Sequence, residues 1–202
     1  MGDQYRALVY VLAFCGIRVG EATALRRSSI NMMRSELRVS ESLADVNGRL
    51  VFGSTKTRQA RTVAVPTAVR DELAIHLESF TAPAADALVF TSTQGEPIRL
   101  QNFRRRVWAP AIERAGLPVD LRIHDMRHTA ASLLANAGVP IKSVQEHLGH
   151  SSIVVTMDRY SHLYPGTRRH VATVLDDLIA NADGRDNGTE ADQMQTKRAE
   201  LA

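Results

Sequence analysis

A single cysteine, Cys15, stands in this chain, inside an apolar run. One thiol builds no disulfide framework, which sets aside the small secreted scaffolds and points to a reducing compartment, the cytoplasm. Long apolar runs are also missing. The longest, Ala7 to Ile17, falls short of the roughly 20 residues a membrane-crossing helix needs. It reads as a buried helix, with no membrane partner, and no secretory-signal pattern opens the sequence. Lysine is the third scarcity: only Lys56, Lys142 and Lys197 stand beside 22 arginines. Genome base composition and a preference for arginine's two-pronged grip on phosphate both account for that bias. Either way, each lysine draws attention.

What is present is ordinary for a folded chain. Its 202 residues are 44% hydrophobic and 23% charged, enough for one substantial core without staples. The net charge of +3 hides a division, because residues 183 to 202 carry −2 and residues 1 to 182 therefore carry +5. That excess is compatible with a phosphate-bearing partner.

Periodicity predicts a mainly helical α+β domain over residues 1 to 182, followed by a polar, disordered tail over 183 to 202. Apolar residues recur at helical spacing through about Phe14, break at Gly16, and resume from about Val19. Residues 36 to 65 change to short alternating runs, with a tight turn at Asn47-Gly48, and predict a small three-stranded antiparallel sheet. Lys56 falls near the hairpin joining the second and third strands. Helices are expected over "TAVRDELAIHLESF" and over "LQNFRRRVWAPAIERAGL", which carries the basic cluster Arg104 to Arg106. From Ile123 the pattern reads helix, Gly138-Val139-Pro140 turn, helix, loop at Gly149, and a helix toward Tyr160. A last helix is expected over "RRHVATVLDDLIANA".

Residues 124 to 160 concentrate the chemistry: His124, Arg127, His128, His147, His150 and Tyr160. Zinc could use histidines spaced as His124/His128 or His147/His150. Yet no second cysteine exists, the metalloprotease glutamate is missing, and Arg127 would lie beside a dication. A helix-turn-helix accounts for "ASLLANAGVPIKSVQEHLGHSS" and makes Gly138, Val144 and Leu148 packing residues. It leaves His124, Arg127 and Tyr160 unexplained. Phosphoryl transfer uses them all. Arginine steadies charge on nonbridging oxygens, lysine can protonate a leaving oxygen, and tyrosine can form a covalent ester. Surrounding guanidinium groups are expected to lower the phenol's pKa from about 10.

The stretches "GIRVGEATAL", "TKT", "HDMRH", "LGHSS" and "TMDRYSH", in that order from residue 16 to 162, resemble the tyrosine recombinases of the phage integrase family. The resemblance covers roughly residues 3 to 165, and its specific part is the pair of C-terminal boxes. It implies that Arg18 and Arg127 clamp a scissile phosphate, with His150 adding a hydrogen bond. His124 would be acid or base for Tyr160, and Lys56 would protonate the departing 5′ oxygen. Tyr160 would attack, leaving a 3′-phosphotyrosine and a free 5′ hydroxyl. The ester keeps the bond's free energy, so no cofactor, nucleotide or metal is implied. Glu21 resembles a buried supporting carboxylate. His128 has no catalytic role in the pattern and reads as structural, and His147 reads as a helix-surface residue.

The implied function is integration or excision of a phage or other mobile element, on double-stranded DNA and as a homo-oligomer assembled there. Chromosome-dimer resolution is the close variant, and supercoil relaxation by a type IB-like nicking-closing enzyme ranks below it. From another class, a non-enzymatic helix-turn-helix regulator remains. Only 17 residues precede Arg18, where family members usually carry a core-binding domain. An isolated catalytic domain or a naturally minimal member, with weak and salt-dependent DNA binding, is the expectation.

Overall fold

The computed structural model describes residues 2–55, 59–161, 172–173 and 175–179. Those up to Ser161 belong to one compact unit; the helical residues 172–173 and 175–179 belong to a second. Lys56, most of the expected last helix and the 183–202 tail lie outside the described residues.

Helix α1 (Arg6–Tyr10) runs into a π turn (Val11–Cys15). Its apolar face carries Leu8, Val11, Leu12 and Cys15, all at or below 2% exposure. Burial holds the Cys15 thiol up at about 12, so it is un-ionised at neutral pH. The helix ends at Gly16, in the left-handed region at φ 63. A β-carbon there would meet Leu148 Cδ2 at 2.8 Å and Ala130 Cβ at 3.0 Å, so the position needs both glycine's freedom and its lack of side chain. The chain then reverses into α2 (Val19–Ala22), with Glu21 accepting the Arg18 backbone N–H at 2.9 Å.

The β region departs from a simple three-stranded expectation. β1 (Ile30–Asn31), β2 (Glu36–Val39) and β5 (Arg61–Ala64) form one antiparallel sheet in the order β1-β2-β5. β3 (Glu41–Val46) and β4 (Arg49–Ser54) form a separate hairpin. The run "ELRVSESL", which reads as one strand, changes partner at Ser40: Val39 pairs with Arg61, whereas Glu41 pairs with Ser54. Alternation continues across the switch, with Leu37, Val39 and Leu43 all buried, so side-chain pattern alone does not reveal it. Strand β1 is too short to produce a periodic signal. The hairpin turns at Asn47 (φ 51) and Gly48 (φ 79), the left-handed pair that a tight two-residue turn requires.

Helix α3 (Thr67–Ser79) lays Val69, Leu73 and Leu77 on the core. Helix α4 (Leu100–Phe103), a second π turn (Arg104–Trp108) and α5 (Ala109–Arg114) follow. Phe103 packs edge-on against Tyr5, with ring centroids 5.1 Å apart. Trp108 donates to the Leu121 carbonyl at 2.8 Å, anchoring the approach to α6 (Asp125–Asn136). That helix starts where the Asp125 carboxylate accepts the Arg122 backbone N–H at 2.8 Å. The Gly138 turn leads to α7 (Ile141–Leu148), and α8 (Ile153–Tyr160) begins at Ser152, whose hydroxyl accepts the Val154 N–H.

Candidate active site

The C-terminus of α7 organises the site. Gly149, at φ 68, stops the helix, and its N–H returns to the Gln145 and Glu146 carbonyls at 2.9 and 3.0 Å. The last carbonyls of a helix have no partner further along it and lie at the negative end of its dipole, where cations are favoured. Three arginines from three distant segments take them in succession. Arg61 Nε donates to His147 O at 3.3 Å, Arg127 Nη2 to Leu148 O at 2.7 Å, and Arg18 Nη2 to Gly149 O at 3.3 Å.

Arg127 is buried to 3% exposure on the inner face of α6, which is otherwise built from Ala130, Ala131 and Ala135. Those short side chains let the guanidinium lie between α6, α7 and the Gly16 reversal, and its Nη1 donates to Gly16 O at 2.6 Å. Burial, and then the charge of Arg18, lower its pKa to about 9, which leaves it a cation at neutral pH. Glu21, 1% exposed, balances the cluster. It accepts Arg18 Nη1 at 3.0 Å and a two-pronged grip from Arg61 at 3.1 and 2.7 Å. Burial pushes this carboxyl up, but the arginine hydrogen bonds and charges outweigh it and hold it below the usual range.

Helix α8 adds a buried pair one turn apart, Thr156 at 0% exposure and Tyr160 at 5%. Thr156 Oγ1 is 2.8 Å from His150 Nδ1, which fixes the ring. Burial, then Arg127 and Arg18, depress His150 to about 4, so its imidazole is neutral at physiological pH. The Tyr160 hydroxyl is 2.6 Å from His128 Nδ1. His124, one turn before His128 on α6, meets that ring edge-on at a centroid distance of 5.0 Å. His124 also lines an open groove of about 630 Å³ together with Arg18, Ser42, Asp45 and Arg104.

The structure therefore brings Arg18, Arg127 and His150 around the end of α7, with Tyr160 and His124 flanking α6. Lys56 lies outside the described residues; beside it, Thr55 Oγ1 donates to Gln59 O at 2.9 Å. Three readings of the sequence change. His128, structural by its place in the motif, is the hydrogen-bond partner of Tyr160. His147, a helix-surface residue by pattern, turns inward: it bonds to the Cys15 backbone, and its Nε2 is buried. The Tyr160 phenol lies above its ordinary range, because burial outweighs the lowering by Arg159 and Arg127.

Arg61 and Thr156 do not stand out in the sequence. Arg61 shares the inward strand face of Val63 and Val65, and an arginine at that phase is the available signal. Thr156, four residues before Tyr160, answers to the same test at helical spacing. Among the described residues no group of three or more His, Cys, Asp or Glu lies close enough to hold a metal ion.

The mainly helical domain with a small antiparallel sheet is similar in fold to the catalytic domain of bacteriophage HP1 integrase, at a TM-score of 0.57 and 25% identity, covering 87% of this chain and 92% of that one. The phage integrase family matches over residues 3–166, and this chain belongs to it. It is 31% identical over 185 residues to a putative prophage phiRv2 integrase of Mycobacterium tuberculosis, covering 91% of this chain and 49% of that protein. It is 36% identical over 155 residues to the integrase of Mycobacterium phage FRAT1, covering 74% and 46%. The chain thus spans about half the length of the curated relatives it matches. The Tn1549 transposon integrase, solved in complex with transposon right end DNA, shares the fold at a TM-score of 0.75 and 20% identity, covering 88% of this chain and 59% of that one.

Proposed function

We propose that this chain is the catalytic part of a site-specific recombinase that integrates or excises a mobile element by cutting and rejoining DNA through Tyr160. The observation that carries the reading is the meeting of Arg18 and Arg127 on consecutive carbonyls, Gly149 and Leu148, with His150 held beside them. These carbonyls occupy one donor of each guanidinium's Nη2 and hold the plane, so the remaining N–H groups can face a phosphate's nonbridging oxygens. Preorganised charge of this kind lowers the barrier as the pentacoordinate phosphorus gathers negative charge.

In this reading Tyr160 Oη forms a bond to phosphorus and the bond to the 5′ oxygen breaks. Lys56 supplies the leaving oxygen's proton, His150 donates to a nonbridging oxygen, and His124 serves proton transfer from the groove side. Glu21 and Arg61 position the clamp. The substrate is double-stranded DNA, consistent with the DNA complex of the Tn1549 relative. Work on DNA as a homo-oligomer, in the reducing cytoplasm, completes the reading. Among the described residues no helix is long and apolar enough to cross a membrane.

The test uses a pool of nicked duplexes with randomised arms, at high concentration, whose short 5′-hydroxyl fragment diffuses away after cleavage. A detergent-stable protein–DNA adduct that forms with a chelator present and without nucleotide is expected. Reversible binding with no adduct would leave only a DNA-binding helix-turn-helix protein.

A further inference from the structure

The Tyr160 hydroxyl, which also interacts with the Arg159 side chain, has a histidine partner that the scheme above leaves unused. His128 Nδ1 approaches it at 2.6 Å, short for a hydrogen bond between neutral groups. The His124 ring also meets the His128 ring, perpendicular to it with centroids 5.0 Å apart. His128 is fixed on the first turn of α6, and Tyr160 on the last turn of α8, so two packed helices set the contact rather than a loop.

We propose that His128 is the general base that takes the phenolic proton from Tyr160 during attack, an assignment that rests on the cleavage chemistry proposed above. A neutral imidazole bearing its hydrogen on Nε2 offers the Nδ1 lone pair to the phenol O–H. As the bond from Oη to phosphorus forms and the bond from phosphorus to the 5′ oxygen breaks, the proton passes to Nδ1. The leaving oxygen takes its proton from Lys56. In rejoining, the 5′ hydroxyl gives its proton back to Lys56 and attacks phosphorus, the Oη–phosphorus bond breaks, and His128 returns its proton to the phenolate. His128 thereby takes over the proton transfer assigned above to His124, which meets the His128 ring edge-on and lines the groove.

Charge and burial around the pair agree with this division. Burial first, then Arg159 on α8, with Arg122 and Arg127, disfavour a protonated His128, while Asp125 opposes them. Burial likewise keeps Tyr160 protonated against the pull of Arg159 and Arg127. The resting pair is phenol and imidazole, with the base unloaded. A phenol above its ordinary range gives up its proton slowly unless a base stands in contact.

The experiment follows adduct formation on the nicked pool with the parent chain, His128→Asn and His128→Gln, from about pH 5 to about pH 9. Asparagine keeps an amide near the Nδ1 position but cannot take up a proton. At neutral pH His128→Asn should form adduct about 10²- to 10⁴-fold more slowly, with DNA binding retained. Its rate should climb with hydroxide concentration in place of the parent's acid limb. Rates within tenfold of the parent, or a slowed reaction that keeps the parent's pH profile, would overturn the assignment. If both variants unfold, the parent decides: its acid limb should fall below the ordinary histidine range, and a flat profile there would overturn the role. No adduct from the parent removes the cleavage reading itself, whereas an adduct formed equally well by His128→Asn removes only this inference.

Discussion

Arg61 grips both oxygens of Glu21, at 3.1 and 2.7 Å, and with its Nε reaches the His147 carbonyl at the end of α7. A strand, a short helix and a helix C-terminus are joined by this one side chain, which itself lies beside Arg18 and Arg127. Glu21 is 1% exposed and Arg61's side chain 11%, so water substitutes for neither partner. Removing Arg61 leaves a buried carboxylate served by Arg18 alone.

Arg61→Met should therefore cost about 3–5 kcal/mol of unfolding free energy, the usual result of stranding one member of a buried pair. Combining it with Glu21→Gln should cost less than the sum of the two single changes, because the stranded charge is gone. Urea titration of the four proteins measures this; additive losses would show that the pair is not coupled.

Helix positions over the described residues were legible in the sequence, because they follow from local periodicity. Gly149 and Ser152, inside "LGHSS", are a helix stop and a helix start, both matters of local backbone chemistry. What the sequence did not disclose depends on contacts between distant segments. The partner change at Ser40 leaves alternation untouched, and Arg61 meets Glu21 across 40 residues. His128 and Tyr160 are 32 apart, and nothing in the spacing says which histidine the phenol reaches.

Two helix-ending glycines allow packing to be separated from backbone strain. Gly138 (φ 73) has open space where a β-carbon would stand, whereas a β-carbon on Gly149 (φ 68) would lie 2.7 Å from Arg61 Nε. Gly138→Ala should lose about 1–2 kcal/mol from the left-handed conformation alone. Gly149→Ala should lose more and also slow adduct formation at least tenfold, since it displaces Arg61 and shifts a carbonyl that holds Arg18. Equal effects of the two substitutions on both measurements would contradict this.

Acid should destabilise the protein well before its carboxylates titrate. His76, His124, His128, His147 and His150 are all held below the ordinary 6.5, by burial first, and His150 to about 4. Between those limits the unfolded chain binds more protons than the folded one, so unfolding free energy rises with pH. Stability should be complete above about pH 6.5 and decline as pH falls toward about 4. Glu21, depressed against its burial, adds a further loss below the ordinary carboxylate range. Chemical denaturation across this interval would show a rising slope; a flat profile would contradict the buried neutral histidines.

Lys56 is tested through its leaving group. Lys56→Ala should slow cleavage of ordinary DNA by about 10²- to 10⁴-fold, the usual worth of general acid catalysis. A substrate with sulfur at the 5′ bridging position should be spared, because a thiolate departs without a proton. Equal loss on both substrates would make Lys56 a phosphate-binding residue.

Tyr160 should become covalently joined to DNA, and mass spectrometry of peptides from the trapped adduct reads this directly. The nucleotide remnant should map to Tyr160. Tyr160→Phe, which keeps the ring but lacks the attacking oxygen, should bind the same DNA and give no adduct. Arg127→Ala should reduce the rate of its formation by about 10²-fold or more. A remnant on any other residue, or an adduct persisting in Tyr160→Phe, would contradict attack by Tyr160.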